Sequence, residues 1–296
     1  MNPTSPSQVM ALLNQRGLQP NSLLGQNFLI DANIRDIIIG AADPQPEDVI
    51  LEVGPGLGVL TEVLMRRAAR VVAVEKDRGL AAYLRDEFAD NTSLTLIEGD
   101  ALDLDVAFFE REHIDKLVSN LPYSVGSRVL MNVFSLPLPP ERITVTLQLE
   151  VAERLSAGPG DEERGLLGVW ARRCYRVETV KVISPTCFHP RPKVKSALVV
   201  MTRHPIEVIQ CGNREKFYEL TKEAFVFRRK QMATILTRIA ARLGSDPDQA
   251  LAALTATGLD PRIRPERLTT GQWQQLADRL AGMPAAGGYL NKGLDS

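Results

Sequence analysis

Four consecutive residues, Asn120-Leu121-Pro122-Tyr123, combine groups that could hold the amino group of a flat heterocyclic base. The side-chain oxygen of Asn120 and the backbone carbonyl of Leu121 can accept hydrogen bonds from the two N–H groups of an exocyclic amine. The Tyr123 ring can stack on the heterocycle, and Pro122 restricts φ and so directs the tyrosine. This order of groups is typical of an enzyme that alkylates an amino group on adenine or cytosine. The pattern is short, so the residues upstream have to support it.

A glycine-rich segment, Glu52 to Gly58, follows a hydrophobic run and precedes a helical pattern. Glycines such as Gly54 and Gly56 let the backbone approach a ligand closely at the carboxyl edge of a parallel sheet. Glu75 ends the next hydrophobic run, where a carboxylate can bind two ribose hydroxyls, and Asp100 can accept a hydrogen bond from an adenine amino group. The acid at position 52 disfavours a pyrophosphate and suits a cationic sulfonium. The predicted cofactor is S-adenosyl-L-methionine.

The elements that position these residues alternate between strand and helix from about residue 49 to residue 150. This alternation predicts an α/β fold with a doubly wound, Rossmann-like parallel sheet, as in class I methyltransferases. Two further β-rich runs, 177–183 and 194–201, are expected to form an antiparallel pair at one end of the sheet. The five predicted parallel strands are Val49 to Val53, Arg70 to Val74, Leu94 to Ile97, Lys116 to Ser119 and Ile143 to Leu147.

Beyond residue 202 the pattern is helical, without strand-like runs. We therefore expect a cofactor-binding domain over residues 1–205, with residues 1–30 closing the cofactor site. A smaller all-helical, RNA-binding domain is predicted over residues 206–284, and a disordered tail over residues 285–296.

The net charge of −1 conceals an uneven distribution of charged residues. Between Arg164 and Leu243 there are 17 Lys and Arg against 5 Asp and Glu, which predicts a surface for phosphates. Three cysteines without C-x-x-C spacing and three histidines argue against a metal centre. No run reaches ~18 apolar residues, and no signal peptide is recognisable. We expect a soluble, cytoplasmic monomer without a metal or a membrane partner.

Several segments of the chain resemble the ribosomal RNA adenine N6,N6-dimethyltransferase family along nearly the whole sequence. The resemblance implies that Asn27 and Leu29 line the cofactor pocket, that Asn120 lies between cofactor and target, and that Phe188 stacks on the second face of the base. It also implies two adjacent adenosines in the 3′-terminal hairpin loop of small-subunit ribosomal RNA as the substrate. The matching segments are Leu24 to Leu29, Glu52 to Gly58, Val74-Glu75, Gly99 to Ala101, Asn120 to Tyr123, Gln148 with Glu150 to Leu155, Phe188 to Val194, and Phe225 to Lys230.

Basic clusters in the positive region are the predicted contacts for RNA phosphates, and binding should weaken strongly with salt. The base must also leave its stack, which favours a loop over an intact duplex. The expected partner is small-subunit ribosomal RNA, free or within a precursor of the 30S particle. The predicted contact residues are Arg172, Arg173, Lys193, Lys195, Arg228, Arg229 and Lys230.

Four alternatives remain open at the level of sequence. A related macrolide-resistance methyltransferase modifies a large-subunit adenosine, although Leu121 and the long helical C-terminal part favour the small-subunit enzyme. An RNA- or DNA-binding factor without activity is disfavoured by the presence of Glu75, Asp100 and Asn120. A DNA adenine methylase would need a target-recognition domain that the sequence does not show. A nicotinamide dehydrogenase would leave the Asn120 to Tyr123 segment unexplained.

Overall fold

A computed structural model describes residues 5–21, 24–210 and 212–282 of the chain. Cys211 and the predicted tail, residues 285–296, lie outside the described residues.

A mixed seven-stranded sheet forms the centre of the fold, with the strand order β4-β3-β2-β5-β6-β9-β7. Strands β2 to β6 run parallel, and β9 is antiparallel to β6. The predicted parallel sheet and the two additional strands beside it are thus confirmed. A separate two-stranded sheet joins β1 to β8. The strands are β1 (Phe28–Leu29), β2 (Val49–Val53), β3 (Arg70–Glu75), β4 (Leu94–Glu98), β5 (Lys116–Asn120), β6 (Arg142–Gln148), β7 (Tyr175–Ile183), β8 (Phe188–His189) and β9 (Ser196–Arg203).

Helices follow most of the parallel strands, as a doubly wound sheet requires, because parallel strands need crossover connections. The helices are α1 (Pro6–Gln15), α2 (Ala32–Ala42), α3 (Thr61–Leu64), α4 (Arg78–Glu87), α5 (Val106–Glu112), α6 (Gly126–Phe134), α7 (Leu149–Ser156), α8 (Leu166–Cys174), α9 (Ile206–Ile209), α10 (Arg214–Val226), α11 (Met232–Ile239), α12 (Pro247–Ala256) and α13 (Thr270–Leu280).

Strand β2 lies in the interior of the sheet, and its pairing determines where the site forms. Its residues Ile50, Leu51 and Val53 are buried, as expected for a parallel strand covered on both faces. It pairs with β3 on one side and with β5 on the other. The carboxyl ends of these three strands therefore meet at one edge of the sheet, which is where ligands bind in such folds.

The chain divides into two compact units, and the division differs from the single boundary expected near residue 205. The first unit contains residues up to Ala152 together with Glu178–Thr202, and the second contains Glu153–Val177 together with residues from Arg203 onward. Helix α8 belongs to the second unit because its Trp170 packs there. The Trp170 indole Nε1 donates to Thr221 Oγ1 at 2.9 Å, and its ring lies 4.5 Å from that of Tyr218. Periodicity along the sequence does not reveal such long-range packing.

Candidate functional site

A cavity of about 200 Å³ lies at the carboxyl edge of the sheet, within the first unit. The ends of β2, β3 and β5 contribute to its wall, as does the segment formed by residues 24–29. The structure brings ten of the predicted site residues together around this space: Asn27, Leu29, Gly54, Gly56, Glu75, Asp100, Asn120, Leu121, Pro122 and Tyr123.

The glycine loop has the left-handed backbone that the sequence predicts for it. Gly54 and Gly56 adopt φ values of +67° and +60°, which side chains with a Cβ rarely tolerate. A Cβ on Gly54 would also lie 2.9 Å from Cγ of Pro122. Gly54 therefore allows the Asn120 to Tyr123 segment to pack directly against the loop, so that both form one continuous surface.

Glu75, at the end of β3, is hydrogen-bonded to the glycine loop. Its Oε2 accepts a hydrogen bond from the Gly56 amide at 3.2 Å, and its Oε1 accepts one from the Asp77 amide at 2.8 Å. The side chain is only 5% exposed, and burial raises the pKa of its carboxyl group. Each oxygen retains a lone pair with which to accept a further hydrogen bond from a ligand.

Glu52 is a second buried carboxyl group at the cavity wall. Thr61 Oγ1 donates to its Oε2 at 2.6 Å. Burial, together with the nearby Glu75 charge, raises the pKa of Glu52 to about 8. A cationic ligand beside these two buried carboxyl groups would stabilise their ionised forms, because a positive charge offsets both the desolvation and the repulsion between them. The sequence shows the acid beside the loop but not its burial.

We predict that Glu52 makes the ligand-free protein less stable as the pH rises. A folded-state pKa raised from 4.5 to about 8 means that the folded chain keeps a proton that the unfolded chain releases. The stabilisation is complete below about pH 4.5 and is lost as the pH rises through about 8. Glu52 should therefore contribute a fall of a few kcal/mol in the free energy of unfolding over this window, measured as the difference between wild type and Glu52→Gln in urea denaturation. Glu52→Gln should flatten the curve, although Glu75 will contribute a remaining slope of the same sign.

An exposed carboxylate provides the matched control for this measurement. Glu110 is exposed on α5, so Glu110→Gln should leave the pH profile of wild type unchanged. Parallel profiles for wild type and Glu52→Gln would contradict the assignment to Glu52.

Asp100 lies after β4 and has polar partners on both carboxylate oxygens. Oδ1 accepts from the Leu102 amide at 3.0 Å, and Oδ2 accepts from Lys76 Nζ at 2.6 Å. The Lys76 hydrogen bond is the main cause of the lowered pKa of Asp100. Lys76 and Arg128 line the cavity as well. Sequence reasoning missed both cations, although Lys76 directly follows Glu75.

Asn120 is the last residue of β5, and its side-chain amide is anchored at both ends. Nδ2 donates to the backbone carbonyl of Asn27 at 2.9 Å, and Oδ1 accepts a hydrogen bond from the hydroxyl of Thr146 on β6. The residue is partly exposed and lines the cavity. A rigid amide thus faces the same space as the buried carboxylates.

Tyr123 completes this segment. Its hydroxyl is hydrogen-bonded to Ser196 Oγ, and burial raises its pKa, which the Ser196 hydrogen bond partly opposes. Ser196 is fully buried at the start of β9. The hydrogen bond restricts the tyrosine ring, which is partly exposed at the cavity. Sequence reasoning missed Ser196 because no local pattern links it to Tyr123.

With this geometry established, comparisons with known proteins decide the family. The family model for ribosomal RNA adenine dimethylase matches residues 17–282. This chain belongs to that family. The "Ribosomal RNA small subunit methyltransferase A" of Lactiplantibacillus plantarum is 36% identical to it, over 93% of this chain and 95% of the relative.

Two solved structures are also similar to this member of the dimethylase family. A dimethyladenosine transferase from Plasmodium falciparum superposes with a TM-score of 0.70 at 22% identity, covering 84% of this chain and 95% of that chain. At that identity the likeness shows the fold alone. The 23S rRNA methyltransferase ErmE superposes with a TM-score of 0.62 at 25% identity, covering 86% of this chain and all of that chain. Both agree with the Rossmann-like methyltransferase fold.

The structure corrects the role expected for Phe188 in this family member. Phe188 is 2% exposed and packs in the hydrophobic core with Ile34 and Ile38. Its backbone pairs with Leu29 across the two-stranded sheet. The side chain is not part of the cavity wall, so it supports the strand that carries Leu29 and does not face a target base.

The structure also corrects two of the predicted phosphate contacts. Arg172 and Arg173 are 9% and 1% exposed. The Arg172 guanidinium donates to the carbonyl of Ser156 at 2.7 Å, and that of Arg173 lies over the Phe217 ring at 5.4 Å. Both side chains are interior groups of the second unit and are unavailable to RNA. Part of the positive charge seen in the sequence is therefore internal.

The remaining basic residues of the prediction lie at the surface. Lys193 and Lys195 are exposed in the first unit, and Arg229 and Lys230 are exposed in the second. Arg228 is partly buried and donates to the backbone carbonyl of Glu162.

Two kinds of feature are absent from the described part of the chain. No helix there has the length and apolar character needed to cross a membrane. In the same residues, no group of three or more His, Cys, Asp or Glu side chains has an arrangement that could hold a metal ion.

Proposed function

We propose that this chain uses S-adenosyl-L-methionine to dimethylate N6 of two adjacent adenosines in the 3′-terminal hairpin loop of small-subunit ribosomal RNA. One observation carries the proposal: the anchored Asn120 amide lines the same cavity as the buried carboxylates of Glu52 and Glu75. Membership of the adenine dimethylase family and the name of its small-subunit relative support the substrate. The reaction would contribute to assembly of the small ribosomal subunit in the cytoplasm.

The residues at the cavity fit this cofactor. The backbone at Gly54 and Gly56 permits close approach, and the oxygens of Glu75 can accept hydrogen bonds from ribose hydroxyls. The buried Glu52 carboxyl group, which ionises more readily beside a positive charge, favours the cationic end of the ligand, and Asp100 can accept a hydrogen bond from its adenine amino group. Asn27 and Leu29 contribute to the same wall. When bound, the cofactor supplies an electrophilic methyl group on a sulfur that is a good leaving group.

Asn120 and Leu121 prepare the target amine. The N6 lone pair of adenine is delocalised into the ring, which makes it a poor nucleophile. Asn120 Oδ1 and the Leu121 carbonyl accept hydrogen bonds from the two N–H groups. These hydrogen bonds draw the nitrogen towards tetrahedral geometry. The lone pair then points towards the methyl group, so catalysis comes from positioning and preorganised dipoles.

Pro122 and Tyr123 hold the base in the correct plane. Pro122 packs against the glycine loop, and the restrained Tyr123 ring stacks on one face of the adenine. After the first transfer, the alkylated nitrogen releases one proton to water and keeps a single hydrogen, so one of the two acceptors loses its partner. The cavity must then also accommodate the first methyl group.

The exposed basic residues Lys193, Lys195, Arg229 and Lys230 are the proposed phosphate contacts. A monomer bound to small-subunit ribosomal RNA, or to a precursor of the 30S particle, is the assembly that we propose.

We predict that Arg229→Ala/Lys230→Ala weakens RNA binding and its dependence on salt. If each side chain displaces one counterion, the slope of log K against log salt should decrease by about 1.5. Filter binding of the isolated hairpin between low and moderate salt measures this slope. The adjacent, exposed pair Arg66 and Arg67 of the first unit supplies the control, since Arg66→Ala/Arg67→Ala should keep the slope of wild type. Equal slopes for the two double variants would show that Arg229 and Lys230 do not contact RNA phosphates.

Mass analysis of methylated RNA tests the proposed function. Purified protein is incubated with labelled cofactor and with small-subunit particles that lack the modification. The expected product is N6,N6-dimethyladenosine at two adjacent positions of the 3′-terminal hairpin. Modification only of a large-subunit adenosine would favour the activity named for ErmE, and cofactor binding without any transfer would indicate an inactive RNA-binding factor.

A further inference from the structure

Thr146 lies directly opposite Asn120, on the neighbouring strand. The two residues are paired in the parallel register of β5 and β6. Thr146 is fully buried, and its Oγ1 donates a hydrogen bond to Asn120 Oδ1. The cavity wall includes Asn120 and does not include Thr146. Any influence of Thr146 on a bound base must therefore act through the asparagine.

The Asn27 carbonyl determines the orientation of the Asn120 amide, and the Thr146 hydroxyl restrains it further. A backbone carbonyl only accepts hydrogen bonds, so the carbonyl of Asn27 selects the Nδ2 end. The Thr146 hydroxyl donates, and so it holds the Oδ1 end on the other side. An amide oxygen has two lone pairs. One is used by Thr146, and the second stays available for an N–H group of a ligand.

Removal of the hydroxyl would leave the amide with one anchor. The side chain could then rotate about the remaining Nδ2 hydrogen bond, because terminal amide torsions have broad minima. Rotation moves the oxygen away from the position that a target amine needs. Small errors of this kind at a reacting group reduce the rate strongly.

We infer that Thr146 is a positioning residue that holds the Asn120 oxygen in the orientation required for methyl transfer, an inference that rests on the proposed function. Threonine is common in β-strands, and the segment Ile143 to Leu147 reads as an ordinary strand. The sequence alone therefore gives no reason to separate Thr146 from its neighbours.

The same strand provides a matched control. Thr144 lies two residues earlier, is fully buried, and among the described residues its Oγ1 has no hydrogen-bond partner. Thr144→Val and Thr146→Val remove the same atoms from the same strand. Only the second change removes a hydrogen bond to Asn120.

The test compares Thr146→Val, Thr146→Ser and Thr144→Val in a single-turnover methyl-transfer assay with saturating cofactor and small-subunit particles. Thr146→Val should lower the rate about 10-fold, while calorimetry shows the cofactor Kd within about 2-fold of wild type. Thr146→Ser keeps the hydroxyl and should restore most of the rate, and Thr144→Val should match wild type. Thr146→Ala serves as a second hydroxyl-free variant if the valine protein is poorly folded.

The possible outcomes separate this inference from the proposed function. Equal rates for Thr146→Val and Thr144→Val, in a wild-type background that does methylate, would overturn the role of Thr146 alone. A loss in Thr146→Val that Thr146→Ser does not restore, or that accompanies an equal loss of cofactor affinity, would show a structural role and would also overturn it. Absence of transfer by the wild-type protein to any ribosomal RNA would refute the proposed function, and the inference with it.

Discussion

Asn120→Ala is expected to lower the single-turnover rate of methyl transfer by about 10²- to 10³-fold. The substitution removes the oxygen that accepts a hydrogen bond from the target amine. It also removes the dipole of the anchored Asn120 amide from the cavity. Cofactor affinity should change far less, because the buried carboxylates of Glu52 and Glu75 remain. Rapid-quench measurement of dimethylated RNA gives the rate, and calorimetry gives the affinity.

Asn91 allows a matched control for this substitution. It is an exposed asparagine that precedes β4, and its Oδ1 accepts a hydrogen bond from the Ser93 amide at 3.0 Å. Asn91→Ala should transfer methyl groups at the rate of wild type. Dimethylation at the wild-type rate by Asn120→Ala would rule out the proposed catalytic role of Asn120, whatever its effect on affinity.

Glu75→Gln is expected to raise the cofactor Kd by about 100-fold. Both carboxylate oxygens accept hydrogen bonds from backbone N–H groups, those of Gly56 and Asp77. A glutamine amide replaces one acceptor with a donor, so one of these N–H groups then faces another N–H group. Either the Gly56 amide or the Asp77 amide loses its acceptor, and the ribose hydroxyls lose an acceptor as well. Isothermal titration of the purified variant with S-adenosyl-L-methionine measures the change.

A glutamate outside the cavity distinguishes this effect from a general effect of charge. Glu47 is exposed before β2, and Glu47→Gln should bind the cofactor like wild type. If Glu75→Gln were to bind equally tightly with a wild-type melting temperature, Glu75 would have no part in cofactor recognition.

The location of the site could be predicted from the sequence because its residues follow hydrophobic runs at fixed places. A run of residues such as Val49 to Val53 becomes a buried strand, and the carboxyl ends of parallel strands share one edge. Gly54, Glu75 and Asn120 each lie at such an end, and the structure brings all three to the cavity. Local backbone preference and strand order are sufficient for this part of the prediction.

The errors arise where a basic cluster, or a segment shared with the family, was taken as a sign that its side chains face a ligand. Arg172 and Arg173 belong to a basic cluster in the sequence, yet α8 buries both within the second unit. Phe188 belongs to a segment shared with the family, yet its ring lies in the core. Burial depends on which distant segments pack against a side chain, and no local pattern carries that information.

The sequence by itself determined the sheet, the glycine loop and the order of the chemical groups along the chain, because these depend on local residue type and spacing. The tertiary structure alone decided how those groups are held. It placed the Thr146 hydroxyl against Asn120 and Ser196 against Tyr123, and it buried the carboxyl groups of Glu52 and Glu75. Thr146 and Asn120 lie on neighbouring strands, and Tyr123 and Ser196 are 73 residues apart in the chain, so only the folded sheet brings each pair within hydrogen-bonding distance.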